Sequence, residues 1–496
     1  MIHFRKIVFP LAIATAFLCS CSQTDIDTTG NGKEEKAQEQ NNVVFQLRSN
    51  ASTITTRGVE DSYTHIQGTA EEYKVNVARA YFFDSATKLL SKSAPLTGII
   101  KSNTDSKGNV VYETDPISVP MGTYDIFVIA NTDRQIDKNK EDEFIADIDE
   151  LTYSQALIEN ISNGIIMSNR ASDNLRTVIS KRNDNDVNVI NITLERVLAR
   201  LDIAKSAETF ELTDDRGAQY ASVTLDGYYI VNLARRYYTF RHTAVLTMLE
   251  EPQWDVNVNF GNVPEVDGYV IDPYFFRKQV DATAFTNADK YYEHFSAEYS
   301  RPEQVKWSAF NAAAATPDYK TAYCLENCTL TPAQKNGYST GVLFKAIVEP
   351  YNNVYHLNND GTMSLVTDKK KYPETLYFFQ QKFYDSAEAL EAAVTASGSS
   401  VGKYEARKFE KTDDGYRCYY RYWIRHLDNN NPVEMGVMEF AIVRNNLYRM
   451  LITGVSDLGD GTPTIVPNVP DEGETYLQIV LNVKPWIVRD LTNIVL

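Results

Sequence analysis

Apolar and polar residues alternate along much of the chain, in short runs that Gly, Pro, Asn and Asp separate. In the run 187–194, Ile190, Ile192 and Leu194 alternate with polar neighbours, a period of two that is typical of a half-buried strand. Further runs predict strands at 43–47, 73–83, 122–130, 416–424, 436–443, 448–455 and 476–488. The pattern therefore predicts a chain built mainly of β-strands.

Helices are predicted in two places, at 152–162 and at 387–396. The second has Asp385 or Ser386 as its candidate N-cap and Gly398 as its end. Short strands at this spacing, with turn residues between them, are typical of antiparallel β-sandwiches. We therefore expect an all-β fold with a few short helices, arranged as two sandwiches in tandem.

The N-terminus carries a leader sequence. A short basic patch is followed by an apolar run at 7–18 and then by Cys21, with Leu18 three positions before it and Ser20 directly before it. The apolar run is too short to cross the roughly 30 Å hydrocarbon core of a membrane as a permanent helix. The spacing predicts a cleaved signal peptide and a diacylated Cys21, as in bacterial lipoproteins. The alternative is an ordinary secretory peptide that happens to contain two cysteines.

Composition and charge narrow the class of protein. Hydrophobic residues make up 43% of the 496 residues, enough for a sizeable core. The formal net charge of −17 argues against a nucleic acid partner, because phosphates require clustered Lys and Arg. Beyond the leader and Cys21 the sequence has Cys324, Cys328 and Cys418, and three cysteines make a poor disulfide framework. We interpret these three as unpaired thiols.

Motifs that carry catalysis are missing from the sequence. It has no phosphate-binding loop, dinucleotide fingerprint, zinc-protease motif or serine-hydrolase elbow, and its six histidines do not pair at metal-ligand spacing. The acidic loops 137–141 and 183–186 resemble calcium loops only in part, and the first lacks the Gly that an EF-hand needs. We interpret both as solvated loops, and we predict no enzyme, no cofactor and no metal site.

Two features near the chain ends indicate a mechanical role. The last residues, 486–496, are apolar and strand-forming, although chain ends are usually polar and frayed. Arg57 lies in a Ser- and Thr-rich stretch that follows the strand predicted at 43–47. A cut at Arg57 would release the tether with that strand and leave an apolar groove with unpaired backbone groups. The C-terminal segment either packs on its own domain or fills such a groove in another copy, which would yield an open filament.

The chain resembles a known family, the fimbrillins of Bacteroidales, and most closely the short-fimbria-type major fimbrial subunit that forms the stalk. The resemblance extends over nearly the whole chain. Its most specific parts are the motifs at 419–426, 438–448 and 483–489, together with those at 195–200 and 323–327.

The resemblance implies two tandem transthyretin-like β-sandwich domains and a lipoprotein precursor that an arginine-specific protease cuts after its first strand. Cys21 is then similar to the lipid site, and Arg57 followed by Gly58 to the cleavage site, with Arg48 as a competitor. The C-terminal segment would be the donor strand, carried by Ile487, Val488, Leu491, Ile494 and Leu496. The expected segments are a signal peptide (1–20), a lipidated tether with the removable first strand (21–57), an N-terminal sandwich (58–243), a C-terminal sandwich (244–486) and the donor strand (487–496).

The function expected from these features is that of a structural stalk subunit of a bacterial surface fimbria that supports cell adhesion. Its partners would be copies of itself in a head-to-tail filament, anchor and tip subunits, and a host or bacterial surface receptor. The outer membrane would hold the lipidated precursor before cleavage, and the surface fimbrium would be the destination. Two alternatives remain open: a fimbrial anchor, which would keep its lipid, and a tip adhesin or glycan-binding surface lipoprotein.

Overall fold

The computed structural model describes residues 40–49, 68–104, 109–151, 153, 161, 163–170, 175–181, 187–245, 268–274, 292–293, 305–307, 310–314, 317–328, 334–335, 337–398, 406–426, 431, 435–436, 438–463, 469–471 and 476–485. Strands predominate among these residues and the helices are short, so the predicted all-β fold class is confirmed.

One large sheet is built from the N-terminal strands. Their bounds are β1 (Gln40–Ser49), β2 (Ala78–Asp84), β3 (Leu90–Leu96), β4 (Ile100–Thr104), β5 (Val110–Glu113), β6 (Ile117–Pro120), β7 (Gly122–Ala130), β8 (Ile148–Glu150), β9 (Met167–Ser168), β10 (Arg176–Ile179) and β11 (Asn188–Arg196). The order across this first sheet is β3-β2-β7-β9-β11-β1-β5-β4, with β10 beside β7 and β6 beside β1. The strand β8 pairs elsewhere.

The first sheet curls over its own apolar face. Three strands lie between β2 and β1 in the sheet order. Nevertheless, the ring of Phe45 on β1 lies 6.0 Å from the ring of Phe82 on β2. Both side chains are buried in one hydrophobic core that the whole sheet lines. Contact between strands so far apart in the order requires the sheet to fold into two packed layers.

The rest of the chain forms two further sheets and the two-stranded pairs β15-β19, β17-β18 and β16-β8, the last with a strand of the N-terminal region. Their strands are β12 (Leu198–Lys205), β13 (Thr209–Thr213), β14 (Gln219–Val231), β15 (Leu233–Ala234), β16 (Arg236–Tyr238), β17 (His242–Val245), β18 (Gly268–Ile271), β19 (Tyr292–Glu293), β20 (Val305–Lys306), β21 (Lys320–Leu325), β22 (Gly341–Pro350), β23 (Val354–Leu357), β24 (Met363–Leu365), β25 (Thr375–Phe379), β26 (Lys382–Tyr384), β27 (Arg407–Thr412), β28 (Gly415–Trp423), β29 (Asn446–Val455) and β30 (Leu477–Pro485). The second sheet has the order β21-β12-β29-β30, and the third has the order β13-β14-β22-β28-β27-β25-β26-β23-β24, with β20 beside β14.

A single core joins the second and third sheets. Leu201 and Tyr448 from the second sheet and Tyr228 and Phe344 from the third are all buried in it. The chain passes from the first sheet to the second at Val197, between β11 and β12. Small two-stranded pairs connect the regions, and among them β16 pairs with β8. The predicted domain boundary after residue 243 stays a prediction.

Helices are short: α1 (Ala70–Tyr73), α2 (Glu141–Ile145) and α3 (Ala387–Ser397), with a 3-10 helix at Lys369–Lys371. The helix predicted at 387–396 is confirmed as α3. The Ser386 hydroxyl accepts a hydrogen bond from the Ala389 N–H at 3.1 Å, and Gly398 ends the helix with a φ of +65°. The helix predicted at 152–162 lies largely outside the described residues.

Candidate functional site

The first strand of the described chain, β1, lies in the interior of a sheet rather than at its edge. On one side it pairs in parallel with β11, from Val43 opposite Asn188 to Ser49 opposite Leu194. On the other side it pairs antiparallel with β6 through its first half and with β5 through its second half. Removing β1 would therefore leave unpaired backbone groups on both sides of the gap.

The side chains of β1 alternate between the core and the outer face. Val43, Phe45 and Leu47 are fully buried, whereas Val44 and Gln46 between them are partly exposed. This is the period of two that the sequence run at 43–47 predicts, and that strand is confirmed. The three buried side chains occupy a continuous apolar slot in the core of the first sheet.

Thr114 lies between β5 and β6 and bonds to β1 at that point. The Phe45 N–H donates to the Thr114 hydroxyl at 3.1 Å, and the Thr114 N–H donates to the Phe45 carbonyl at 3.2 Å. Thr114 is itself buried. The groove around β1 thus offers hydrogen-bonding groups along its whole length, including the short stretch between two neighbouring strands.

Arg48, the competing cleavage position, lies within β1. Its backbone is opposite Thr193 on β11 and Val111 on β5. Its side chain is half-buried, and its Nη2 is 3.5 Å from the Gln46 Oε1 atom. A protease that must bind the backbone in an extended form could reach Arg48 only after the strand separates from both neighbours.

Further along the chain, α1 is anchored to the second sheet and not to β1. Glu72 is fully buried. Its carboxylate accepts hydrogen bonds from Arg200 Nη1 at 2.9 and 3.0 Å and from the Tyr323 hydroxyl at 2.7 Å. The Glu72 carbonyl also accepts a hydrogen bond from Arg196 Nε at 2.6 Å. This network holds the chain in place a short way after the predicted cleavage site in the sequence.

Sequence reasoning missed Glu72. The pattern Thr69-x-x-Glu72 is a capping-box sequence, and both hydrogen bonds of the box are present. That signal could have found the helix. It could not have found the arginine partner Arg200, because the two residues are distant in sequence and meet only in the folded chain.

The strand that leads to the C-terminal segment is β30. It pairs antiparallel with β29 and is the outer strand of the second sheet as far as the described residues extend. Leu477, Ile479 and Leu481 pack on the core, whereas Val480 between them is 49% exposed. The last described residue is Pro485, which has no N–H to donate and suits a strand end.

Most of the predicted site residues lie outside the described residues: Cys21, Arg57, Gly58, Ile487, Val488, Leu491, Ile494 and Leu496. They remain predictions. The three cysteines beyond the leader are described; they are buried and form no disulfide within the described residues. Burial raises the pKa of the Cys324 and Cys418 thiols to about 12, so neither is a reactive thiolate at neutral pH. None of the helices in the described part of the chain has the length and hydropathy that a membrane span requires.

Comparison with protein families gives two matches, one towards each end of the chain. Residues 43–200, which include β1 and its groove, match the profile of the major fimbrial subunit protein FimA. Residues 414–492 match the profile of the C-terminal part of fimbrillin, the type IV major fimbrial subunit protein. These two regions of the chain are therefore similar to fimbrillin-family subunits. The resemblance seen in the sequence motifs is confirmed at this level, and its short-fimbria type is a finer assignment that belongs to the proposal below.

Several solved structures are similar to this chain at low sequence identity. Fimbrilin (FimA) from Porphyromonas gingivalis W83 is 14% identical, with 91% of this chain and 99% of that chain covered and a TM-score of 0.41. A proposed cell adhesion protein from Parabacteroides distasonis is also 14% identical, with 90% and 97% covered and a TM-score of 0.43. The tip fimbrial protein Mfa3 from Porphyromonas gingivalis is 11% identical, with 90% and 100% covered and a TM-score of 0.34. Among curated proteins, none is similar enough in sequence to match.

The two profile matches indicate the broad role of the chain. Its matches describe structural subunits of fimbriae and not enzymes, as predicted from the lack of catalytic motifs. The two matches support a fimbrial subunit role for the chain.

Proposed function

We propose that this chain is the stalk subunit of a short-type fimbria, and that it polymerises by protease-triggered strand exchange. In this proposal a cut after Arg57 releases β1, and the C-terminal segment of another copy, 487–496, takes its place. The observation that carries the proposal is the position of β1, an N-terminal strand held between β11 on one side and β5 and β6 on the other.

The energetics of β1 support a strand that leaves only when it is cut and replaced. Burial of the three side chains Val43, Phe45 and Leu47 contributes about 5–9 kcal/mol. That is comparable with the total stability of a typical domain, about 5–15 kcal/mol. An uncut β1 would therefore stay in its groove, and a subunit that lost it would need another apolar strand.

The pairing of Arg48 supports Arg57 as the cleavage site. Arg48 is paired through its backbone on both sides. By contrast, Arg57 lies beyond the end of β1 in the sequence, so a cut there does not first require β1 to separate from its neighbours. The Glu72 network supports retention of the remaining chain after the cut, because its bonds to Arg200 and Tyr323 do not involve β1.

The remaining parts of the proposal follow from the sequence. Lipidation at Cys21 would deliver the precursor to the outer membrane, and cleavage would release it into the fibre. Division into an N-terminal (58–243) and a C-terminal (244–486) sandwich also belongs to the proposal. Phe240 packs against Phe127 and Phe144 of the N-terminal region, with ring centroids 5.2 Å apart, which supports a boundary after this point. The strands β12 and β14 precede that boundary in the sequence, but they pair with strands that follow it.

Cleavage of the purified precursor in vitro tests the proposal. The chain is incubated with an arginine-specific protease, the new N-terminus is sequenced, and the products are examined on a non-boiled gel and by electron microscopy. We expect cleavage between Arg57 and Gly58, a ladder of oligomers and filaments. The variant lacking 487–496 should be cut in the same way but should remain monomeric.

A matched pair of arginine variants separates the two candidate cleavage sites. Arg57→Ala should resist cleavage and remain monomeric, whereas Arg48→Ala should be cut and should polymerise like the wild type. Clean cutting at Arg57 without oligomers would contradict the stalk assignment. Polymerisation of the variant without 487–496 would mean that the donor strand lies elsewhere. A subunit on cells that retains its lipid and is never cut would instead be the anchor.

A further inference from the structure

A group of buried oxygen atoms lies beside the start of β22, far along the chain from the groove of β1. Asn232 follows β14, Ser339 precedes β22, and Gln334 and Asp471 lie on neighbouring segments; all four residues are at most 2% exposed. Hydrogen bonds link them in pairs. The Asn232 amide donates to the Ser339 carbonyl at 2.8 Å, and the Asp471 N–H donates to the Gln334 carbonyl at 3.2 Å.

The side-chain oxygens of these residues have no protein partner. No hydrogen bond from the described part of the chain reaches either carboxylate oxygen of Asp471, the Gln334 Oε1 atom, the Ser339 hydroxyl or the Asn232 Oδ1 atom. The amide orientations are fixed, because Gln334 Nε2 donates to the Gly436 carbonyl at 2.9 Å and a flipped amide would oppose two oxygens. Buried polar atoms are nearly always satisfied, so these oxygens point to a ligand.

Asp471 differs from the other deeply buried carboxylates of the chain. Glu72, Asp202, Glu195 and Glu326 each form an ion pair with an arginine. For Asp471 no such pair exists within the described ranges. Burial raises the pKa of Asp471 to about 8, and the nearby Ser339 hydroxyl opposes that rise without reaching hydrogen-bonding geometry. Asp272 is fully buried as well, but its carboxylate accepts hydrogen bonds from the backbone N–H groups of Tyr274 and Cys328. In the described part of the chain, neither carboxylate oxygen of Asp471 has such a donor.

We propose that Asp471, Gln334 and Ser339 form a site for a hard divalent cation of the calcium type. Carboxylate, amide carbonyl and hydroxyl oxygens are the ligands that Ca²⁺ prefers, and it also accepts waters and backbone carbonyls. In the described part of the chain, no three His, Cys, Asp or Glu side chains come together at metal-binding distance. This site depends instead on one carboxylate and neutral oxygens. A low ligand charge corresponds to weak binding, with a Kd of about 10⁻⁴–10⁻³ M, as in extracellular modules.

The cation would fasten the segment that precedes β30. Lys335 and Pro470 form an isolated antiparallel bridge, so the segment carrying Asp471 already lies along the segment carrying Gln334. A shared cation would add a second connection between them. The last strand of the second sheet, β30, begins at Leu477, six positions after Asp471. The inference is independent of strand exchange, because it concerns residues that neither cleavage nor donor insertion touches.

Calorimetric titration of the purified protein with CaCl₂, after removal of metals with EDTA, tests the site. We expect one Ca²⁺ per chain and a rise in Tm on addition of calcium. The variant Asp471→Asn should weaken calcium binding by at least about tenfold, because it removes the only negative charge among the three proposed ligands. Asp137→Asn, which changes an exposed acidic residue of the 137–141 loop, is the matched control and should bind like the wild type.

A second variant keeps the test decisive if Asp471→Asn fails to fold. Gln334→Glu adds a carboxylate at the same place, and it should tighten calcium binding by at least about threefold through the added ligand charge. A merely structural role predicts the opposite, because two carboxylates would then repel each other. Absence of calcium binding by the wild type, or equal binding by the wild type and Asp471→Asn, would overturn the proposal.

Discussion

The strands nearest the two ends of the described chain, β1 and β30, are built in opposite ways. β1 is an interior strand with neighbours on both sides, and its three inward side chains are fully buried. β30 is the outer strand of its sheet, and its inward side chains Ile479 and Leu481 are only partly buried. The strand proposed to be discarded is therefore the one that the fold holds more firmly. In the proposed exchange, β1 would leave only after a cut, and another apolar strand would have to fill the groove.

The difference also suits β1 and β30 to different roles in the proposed exchange. An edge strand can extend into a following segment without opening a core, so β30 is suited to carry the C-terminal segment outwards. An interior strand leaves a complete slot when it departs, with both backbone edges and apolar positions exposed. The acceptor and the donor surfaces are thus distinct, as a head-to-tail filament requires.

Truncation of the central aromatic side chain of β1 should give the largest effect on stability. Phe45→Ala should lower the free energy of unfolding of the uncut protein by about 3–5 kcal/mol, because it empties part of the core in which Phe45 meets Phe82. Urea denaturation followed by fluorescence measures the change. Val44→Ala on the outer face of the same strand is the control, and a similar loss for both variants would contradict the buried slot.

A fall in pH should give the next largest effect, a loss of stability around β29 of the second sheet. Burial lowers the pKa of His426 to about 4, and its Nδ1 atom lies 2.8 Å from the Tyr448 hydroxyl on β29. Because the unfolded chain binds this proton near pH 6.5, the neutral form contributes stability at neutral pH that is lost as the pH falls from about 6.5 to about 4. The loss amounts to about 3 kcal/mol.

The variant His426→Gln should therefore show a shallower decline of stability between pH 6.5 and pH 4, measured by urea denaturation at a series of pH values. The strands of the first sheet contain no histidine. Burial also lowers the pKa of His242 to about 4, so His242 adds a second contribution to the acid response. His356→Gln is the control, because the His356 side chain is 53% exposed. An unchanged slope in His426→Gln would mean that other groups cause the acid loss.

The smallest effect is expected on the edge strand. Val480→Ala should change the free energy of unfolding by less than about 1 kcal/mol, because Val480 is 49% exposed on β30. The same urea experiment compares it directly with Phe45→Ala. A loss above about 2 kcal/mol would indicate that another part of the chain covers this face, and the contrast between the two strands would then disappear.

Local patterns in the sequence were enough to find many strands, and not enough to pair them. The strand predicted at 122–130 is confirmed with the same bounds, Gly122–Ala130, because a short run of strand-forming residues is a signal that depends on neighbouring residues alone. The parallel pairing of β1 with β11 depends on residues far apart in the chain, and no local pattern contains it. The groove could therefore be suspected from the sequence, but the strands that line it could not be named.

The strand predicted at 436–443 is wrong. Its apolar residues Met438 and Ile442 are buried as the pattern requires, but the segment forms a turn. Met438 has a φ of +60°, which a strand does not allow, and the Glu439 carbonyl accepts a hydrogen bond from the His426 N–H at 2.7 Å. Burial alone does not make a strand, because a compact turn can also bury alternate side chains.

The parallel pairing of β1 with β11 has a consequence for the order in which the chain folds. Asn188, whose side chain bonds to the carbonyl of Asn42, follows it by 146 residues. The N-terminal strand must therefore stay unpaired on that side until β11 is available, and closing so long a loop is slow. A membrane anchor just ahead of β1 would hold this waiting strand at a fixed place, away from the unfinished strands of neighbouring chains.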